Sequence, residues 1–495
     1  MIAQKQIKKY WLIILIILLA ASLRFFRIEA LTTFSGDQGY DFLIVKRMIV
    51  DGKFTLLGPK IGPYNELGNL YLGPAYYYLI APSLYFFKLN PLGPAIFTSL
   101  LSTLTVILIY VIGLNFFSKQ TGILAGAFFA FNSLIINQSR ASSNPHLMPF
   151  FATVLFFSTL QIVVKNSKNL IWPVSTGVSM AIIFQLHYMG VSVILASILF
   201  LLYRKKLKEL LIVLLSFILG ISPQIFFELR HEFFITNEII KQLSYGSLLA
   251  KASITQNISS SIRILSETFF SNASLLIPVL LLVPVIFLAG KNFNQKRVVY
   301  LFLISTIFFT IVAGSIFPGS LNSHYFTAIY PSLCLLISAI FVKSIETFKS
   351  WLARLAILLF VATVLYFNIS NLNLFRDNGY TMPIGWNLKG IQMAAQLIVK
   401  DPDSSKKFNI ASTLDGDTRS MPYRYLVEVK GKIPLDVEKY PESDAIYLIS
   451  RDEKETIANY SVWEVASYRP FEIYKIAEIQ NGIKLYKLKH KEAGF

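Results

Sequence analysis

The chain has 495 residues, of which 54% are hydrophobic and 15% charged, and its formal net charge is +18. Soluble domains carry about 25% charged residues. Apolar runs recur along the chain as far as Phe367, and such runs predict a polytopic membrane protein. Basic residues in short cytoplasmic loops account for the positive charge, and no nucleic-acid-binding motif accompanies it, so we expect no nucleic-acid partner. The single cysteine, Cys334, excludes an intrachain disulfide.

The first span is predicted at Trp11–Phe26, and the lysines before it place the N-terminus in the cytoplasm. An outer loop, residues 27–94, follows. Its segment Leu70–Phe87 is apolar enough to cross the membrane, but its prolines and five tyrosines are typical of the membrane interface. If this segment crossed, the later basic loops would face outward. We therefore predict that it lies on the outer surface.

About eleven spans are predicted in total, with the N-terminus inside and the C-terminus outside. Basic residues flank the run Leu170–Tyr203 at both ends, so we expect a hairpin of two spans that turns outside near His187. The other spans after the first are predicted at Ala95–Phe117, Ile123–Ile136, His146–Val164, Leu210–Phe227, Leu275–Ala289, Tyr300–Ile316, Tyr325–Val342 and Leu355–Phe367.

Charged residues return after the last span, and residues 371–495 are predicted to form an extracytoplasmic α/β domain. The segment Asn387–Lys400 has the pattern of an amphipathic helix. Asn481-Gly482 is a hairpin turn signal. Strands are predicted at Phe408–Ala411, Ala445–Ile449, Val462–Tyr468, Glu472–Glu478 and Ile483–Leu488.

The stretch Phe34–Asp41 places two carboxylates, Asp37 and Asp41, four residues apart. A helix that starts here puts both on one side. At the outer face of a membrane such a pair suits proton abstraction or cation binding. The alternative is that Asp37 only N-caps a surface helix, as aspartate often does.

Metal-binding motifs are weak in this sequence. No pair of residues has the HExxH or CxxC spacing of a protein-built metal site. Asp415-Gly416-Asp417 has the D-x-D form that soluble nucleotide-sugar transferases use for a metal, but we interpret it as a turn. We therefore assign no metal ligand and no definite cofactor, and leave a divalent metal open.

Several segments taken in order resemble the GT-C glycosyltransferases, in particular the protein O-mannosyltransferase and lipid A aminoarabinose transferase family. They are the acidic motif Gly36–Asp41 after the first span, Leu72–Tyr78, Tyr110–Phe117, Ser139-Arg140 and His324–Pro331. The resemblance covers roughly Leu12–Val342. It implies a GT-C-like membrane domain of residues 1–370, followed by the C-terminal domain.

The resemblance also implies an activity and a site. The family transfers a sugar from a polyprenyl-phosphate donor to an acceptor at the outer membrane face. Asp37 matches its catalytic aspartate, a general base for the acceptor hydroxyl, and we predict that Asp41 is also catalytic. Arg140 matches a cation that could hold the donor phosphate. By position alone we add Arg230 and His231 as phosphate ligands.

Further substrate contacts are predicted among polar and aromatic residues that the topology places at the outer face. They are Glu66, Tyr76, Asn144, His187, His324 and Tyr325. The sequence departs from the family pattern, because Gln38 stands where Glu is common and Asn144 where Asp is common. These departures leave the acceptor and the phosphate contacts open.

The sequence thus predicts a hexosyl- or pentosyltransferase of the plasma membrane. Its expected partners are a polyprenyl-phosphate sugar, membrane lipid, and a protein, lipid or glycan acceptor. Two alternatives stay open. A flippase of lipid-linked glycans would carry charges within its spans or broken helices in paired halves. In a non-catalytic envelope scaffold, Asp37 would only cap a helix.

Overall fold

The computed structural model describes residues 2–61, 70–249, 253–271, 274–276, 279, 294–317, 320–414 and 416–491. The helices of residues 1–370 are Ile2–Phe25, Ile28–Leu31, Gly36–Val50, Ala75–Phe86, Leu92–Phe116, Lys119–Phe131, Ser133–Ser139, Met148–Val163, Ile171–Leu186, Val191–Tyr203, Leu207–Gly220, Ser222–Arg230, Phe234–Leu249, Ile254–Phe270, Asn294–Ser315, Tyr330–Thr347 and Trp351–Ser370. Short 3₁₀ helices cover Asn144–Leu147, Tyr188–Gly190 and Ser323–Ile329. The predicted span Leu275–Ala289 lies almost entirely outside the described residues.

Five helices in the described part of the chain are long and apolar enough to cross a membrane, and seven if each of two bent pairs counts as one span. The chain is thus a multi-pass membrane protein, although this count is lower than the eleven spans predicted. Shorter apolar helices, such as Tyr10–Phe25, account for part of the difference. The span Ser323–Thr347 is 89% buried and lies at the centre of the bundle, whereas Trp351–Ser370 is only 11% buried and lies at its edge.

Two predicted features of the helical domain match the structure. The run Leu170–Tyr203 breaks at His187 as predicted and forms two helices, Ile171–Leu186 and Val191–Tyr203, which are joined through a 3₁₀ turn. Both are shorter apolar helices outside the count of possible spans, so the break matches the prediction but the two spans stay a prediction. The helix Ala75–Phe86 has only 12 residues and would be about 18 Å long. It is too short to cross the roughly 30 Å hydrocarbon core, which agrees with the prediction that this segment does not span.

The predicted span Ile123–Ile136 is not one straight helix. It breaks at Asn132 into Lys119–Phe131 and Ser133–Ser139, which meet at 62°. The side-chain oxygen of Asn132 accepts a hydrogen bond from the backbone N–H of Ile135 at 3.0 Å and so caps the second helix. The bend directs the end of the second helix toward the start of the Gly36–Val50 helix, where Thr33 and Ala141 form an isolated β-bridge.

The C-terminal domain contains a four-stranded sheet of order β1-β2-β4-β3. Its strands are β1 (Phe408–Ser412), β2 (Ala445–Ser450), β3 (Phe471–Gln480) and β4 (Ile483–His490). The pair β1–β2 is parallel, whereas β2–β4 and β3–β4 are antiparallel. Asn481-Gly482 joins β3 to β4 as predicted, and both residues have positive φ. The helices of this domain are Leu388–Lys400, Met421–Val429, Lys454–Ala458 and Trp463–Ala466, with a 3₁₀ helix at Pro402–Ser405.

One predicted strand, Val462–Tyr468, is wrong. The segment contains the short helix Trp463–Ala466. Val465 and Tyr468 are fully buried, and their spacing of three residues fits a helical face as well as it fits an irregular strand. Glu464 accepts a hydrogen bond from the hydroxyl of Thr418 at 2.7 Å, a tertiary contact that local alternation does not reveal.

The C-terminal domain docks on the outer loop through the helix Met421–Val429, which we call the docking helix. It packs against the helix Gly36–Val50, which we call the acidic helix. The ring of Tyr425 packs edge-on against Phe34 and Phe42, with centroids 5.9 Å apart in both pairs. The Lys46 ammonium pairs with Glu428 at 3.1 Å. The two domains therefore form a packed interface directly beside the acidic motif.

Replacing Glu428 with alanine is expected to loosen this interface. The side chains of Glu428 and Lys46 are only 9% and 13% exposed, so the substitution leaves the Lys46 ammonium poorly solvated and without its carboxylate. The cost should lie between those of exposed and buried pairs, about 1–2 kcal/mol. Thermal unfolding in detergent measures it, with exposed Glu438→Ala as the control. A melting temperature of Glu428→Ala equal to that of the control would show that the pair contributes nothing to docking.

Candidate functional site

The acidic helix begins at Gly36, with Ser35 as its N-cap residue. The side-chain carbonyl of Gln38 accepts hydrogen bonds from the Ser35 backbone N–H at 3.0 Å and from the Ser35 hydroxyl at 2.6 Å. Asp37 is therefore not the N-cap residue of this helix, and its carboxylate is left for other contacts. It lies in the first helical turn, where the helix dipole favours a negative charge.

The Asp37 side chain is exposed to two neighbouring cavities and lines both. No hydrogen-bond partner for its carboxylate occurs among the residues that the structure describes. Enclosure by the surrounding protein raises the pKa of Asp37, the negative charge of Asp417 raises it further, and Arg419 opposes the shift. An accessible carboxylate with a raised pKa is a competent proton acceptor.

Asp41 lies one turn further along the same helix face, as predicted, but it is buried. Its Oδ1 accepts a hydrogen bond from the Tyr77 hydroxyl at 2.8 Å. Burial raises the pKa of Asp41 well above its ordinary value, and the nearby Asp37 adds to this shift. The two carboxylates therefore differ in environment, with Asp37 accessible and Asp41 fixed by a buried tyrosine.

The larger cavity has a volume of about 460 Å³ and lies between the acidic helix and the membrane domain. Three of its lining residues carry basic side chains: Lys60, His146 and His324. Asn144 also lines it, and its side-chain amide donates to the Leu186 carbonyl at 2.6 Å. The Lys60 ammonium supplies a positive charge, and the two histidine rings supply polar groups, so the cavity has groups that can bind a phosphate beside its two carboxylates.

The smaller cavity, of about 340 Å³, lies between the acidic helix and the C-terminal domain. Asp417 and Arg419 line it from the loop after β1. The guanidinium of Arg419 contacts the Asp417 carboxylate at 3.4 Å, and that carboxylate also accepts the backbone N–H of Met421 at 3.0 Å. Asp37 is thus flanked by one cavity on the membrane-domain side and one on the C-terminal side.

Two predicted residues near the larger cavity are engaged elsewhere. Arg140 is buried, and Nη2 of its guanidinium donates to the backbone carbonyl of Leu23, whereas Nε and Nη1 make no hydrogen bond within the described residues. The hydroxyl of buried Tyr76 donates to the carbonyl of Ser142 at 2.8 Å. Neither residue lines either cavity. Their contacts hold the first span and the helix Ala75–Phe86 against the loop that carries the cavity wall.

The other predicted residues separate into those near the larger cavity and those away from it. The ring of Tyr325 lies 4.8 Å from His187 and 4.5 Å from His324, so it connects these two histidines. Arg230 and His231 are exposed at the end of the helix Ser222–Arg230 and line neither cavity. The prediction for Glu66 lies outside the described residues.

Sequence reasoning missed Lys60 as a cavity residue and assigned no role to Asp417 or Arg419. Lys60 lies in the outer loop, where nothing distinguishes it from other surface lysines. The D-x-D motif was informative, because its second aspartate, Asp417, lies against the acidic helix. Its first residue, Asp415, lies outside the described residues. No group of three or more histidine, cysteine, aspartate or glutamate side chains in the described part of the chain is arranged to hold a metal ion.

Comparisons with known proteins agree on one fold. The family model of dolichyl-phosphate-mannose-protein mannosyltransferases matches residues 72–227, about a third of the chain. ArnT from Cupriavidus metallidurans, in a crystal structure bound to undecaprenyl phosphate, is similar over 97% of this chain and 98% of its own, with a TM-score of 0.60 and 10% identity. Its apo structure gives a TM-score of 0.59, at 10% identity and the same coverage of both chains.

A second similar structure is the archaeal oligosaccharyltransferase AglB from Archaeoglobus fulgidus, in complex with an inhibitory peptide and a dolichol-phosphate. The match covers 93% of this chain and 71% of that one, with a TM-score of 0.51 and 12% identity. No curated protein matches the sequence. Together the matches show that the chain has the GT-C fold of membrane glycosyltransferases, as the sequence resemblance implied.

Proposed function

We propose that this protein transfers a sugar from a polyprenyl-phosphate-linked donor to an acceptor hydroxyl, with Asp37 as the general base. The observation that carries the proposal is the position of the Asp37 carboxylate between two polar cavities, with no hydrogen-bond partner among the described residues. In an inverting displacement, acceptor and leaving group lie on opposite sides of the anomeric carbon. A base between two substrate cavities suits that geometry.

The donor occupies the larger cavity in this proposal. Lys60 lines it and supplies a positive group for the departing phosphate, which a cation stabilises as charge develops. His324 also lines it, and its imidazole can donate an N–H to a phosphate oxygen. The comparison structures support a lipid phosphate, since the ArnT structure contains bound undecaprenyl phosphate and the AglB structure is a complex with a dolichol-phosphate. Asp41, fixed by Tyr77, lies in the same cavity and is assigned a hydrogen bond to the donor sugar.

The proposed location is the outer face of the plasma membrane. Basic loops between the predicted spans support a cytoplasmic N-terminus and an extracytoplasmic C-terminal domain. The acidic helix and the docking helix then lie together outside the membrane. A polyprenyl-phosphate donor would reach the larger cavity from the bilayer. A protein, lipid or glycan acceptor would approach from the aqueous side.

The reaction class is tested with purified protein in detergent and a panel of radiolabelled polyprenyl-phosphate hexoses and pentoses, together with a cell-envelope acceptor fraction. We expect release of polyprenyl phosphate and a labelled product of inverted anomeric configuration. If no donor of the panel is consumed but a lipid-linked glycan crosses reconstituted vesicles, the flippase alternative replaces the proposal.

Alanine at Lys60 or His324 is expected to weaken donor binding. Each substitution removes a basic group from the wall of the larger cavity. A hydrogen bond to a charged group contributes about 1.5–3 kcal/mol, so the KM for the donor should rise by roughly ten- to a hundredfold. The KM for the acceptor should stay unchanged. Arg263→Ala, an exposed arginine that lines neither cavity, is the control. An unchanged donor KM in both variants would place the phosphate elsewhere.

Two substitutions are expected to shift the pH profile of kcat/KM in opposite directions. Activity requires ionised Asp37, so it should rise with pH through the raised pKa of this carboxyl group. Asp417→Asn removes a negative charge that raises this pKa, and the acid limb should move to lower pH. Arg419→Ala removes a positive charge that lowers it, and the limb should move to higher pH. Shifts in the same direction would contradict the assignment of the acid limb to Asp37. Asp41, which lines the larger cavity with Asp37, is unchanged in both variants.

A further inference from the structure

The smaller cavity has walls from two domains. The acidic helix contributes Ser35, Asp37 and Tyr40, and the loop after β1 contributes Asp417 and Arg419. Met421 is the one apolar side chain among its described lining residues. A cavity with this lining cannot bury an acyl chain favourably, so its ligand must be polar.

The C-terminal domain forms one wall of the smaller cavity, and two glycines of the acidic motif determine how closely this wall approaches the acidic helix. A Cβ on Gly36 would lie 2.7 Å from the Asp417 carboxyl group, and a Cβ on Gly39 would lie 2.4 Å from backbone atoms of Met421 and Pro422. Only glycine permits this approach. The motif therefore provides the aspartate and also the contact surface that brings Asp417 and Arg419 to it.

The charged groups of this cavity are arranged to bind hydroxyl groups. The carboxylate of Asp417 can accept hydrogen bonds, and the guanidinium of Arg419 beside it can donate them. A neighbouring acceptor and donor match two adjacent hydroxyl groups of a sugar ring. The side chain of Arg419 is 31% exposed and that of Asp417 12%, so the pair can be reached from the cavity while its backbone contact to Met421 keeps it in place.

We propose that the smaller cavity is the acceptor subsite and that it takes a saccharide, with Asp417 and Arg419 as positioning residues. This inference rests on the proposed function and names the class of its acceptor. The reactive hydroxyl would lie toward Asp37, which lines both cavities. The adjacent hydroxyls would be held by the C-terminal domain, which thereby takes part in substrate recognition.

The test measures saccharide binding separately from catalysis. Saturation-transfer NMR is recorded on the full-length protein in detergent with a panel of methyl glycosides as the probe. We expect wild-type protein to bind at least one of them. Arg419→Ala and Asp417→Asn should weaken that binding by roughly tenfold or more, the loss of one charge-assisted hydrogen bond. Arg419→Lys should restore it only in part, because lysine lacks the planar fork. Arg263→Ala is the matched control.

A transfer assay with the same glycosides supplies a second readout. The KM for the glycoside should rise in Arg419→Ala, while the KM for the lipid donor, measured at a pH above the acid limb of Asp37, stays close to wild type. A merely structural role would impair both. Circular dichroism and the melting temperature of each variant show whether it is folded.

The outcomes separate the two proposals. If no methyl glycoside binds but a serine- or threonine-containing peptide accepts the sugar, the saccharide subsite is wrong and glycosyl transfer stands. If glycosides bind equally to wild type and Arg419→Ala, the subsite is elsewhere. If glycosides bind in the predicted manner but no lipid donor is consumed, the smaller cavity is a saccharide-binding site, and both its role as an acceptor subsite and the proposed function fail.

Discussion

An Asp37→Asn protein is expected to transfer sugar with a kcat roughly 10²–10⁴-fold below that of the wild type, the usual contribution of a general base. Asparagine has nearly the same shape, so the acidic helix and both cavities should be unchanged. The amide cannot accept the proton of the acceptor hydroxyl. Donor binding should change little, because in the proposal Lys60 and His324, not Asp37, hold the phosphate. The measurement is steady-state transfer with donor and acceptor varied independently.

Asp51→Asn is the matched control for this prediction. Asp51 is the exposed C-cap residue of the same helix and lines neither cavity. It should leave kcat close to the wild-type value. If Asp37→Asn were as active as Asp51→Asn, Asp37 would not be the base. The enzyme would then need another proton acceptor, with Asp41 or Asp417 as the next carboxylates to test.

Gly39→Ala should separate the C-terminal domain from the acidic helix. The added Cβ would lie 2.4 Å from backbone atoms of Met421 and Pro422, and backbone atoms cannot move aside as a flexible side chain can. Overpacking of this kind costs up to about 3 kcal/mol. We expect a lower melting temperature, faster proteolytic cleavage in residues 371–386, and a raised KM for the acceptor because Asp417 and Arg419 move away from Asp37.

Gly126→Ala provides the comparison for this substitution. Gly126 also lies within a helix, but a Cβ there would meet its nearest neighbours at 3.5 Å or more, which is ordinary contact distance. Alanine is the better helix former, so the melting temperature should stay unchanged or rise slightly. If Gly39→Ala behaved like Gly126→Ala, the close packing of the two domains would be absent in solution.

The acidic helix and the fold class were predictable because they depend on local pattern. Spacing placed Asp37 and Asp41 on one helix face, and apolar length with basic loops indicated a polytopic protein. The turn at His187 followed from lysines that flank a run too long for one helix. Each of these inferences uses residues close together in the chain.

The remainder of the site depends on contacts between distant residues. Asp417 lies 380 positions after Asp37, and no local signal connects a loop of the C-terminal domain to the first outer loop. Arg140 carried a motif signal, but its guanidinium is directed toward Leu23 at the end of the first span. Sequence position identified the loop of Arg140 without revealing which way the side chain points.

The most direct test of the account is a structure of the protein with undecaprenyl phosphate bound. We expect the phosphate to lie in the larger cavity, with its oxygens about 2.7–2.9 Å from the nitrogen of Lys60 or of His324. Asp37 should remain accessible on the far side, facing Arg419. A phosphate bound beside Arg230 and His231, or anywhere outside this cavity, would contradict the placement of the donor and the assignment of Asp37 as the base.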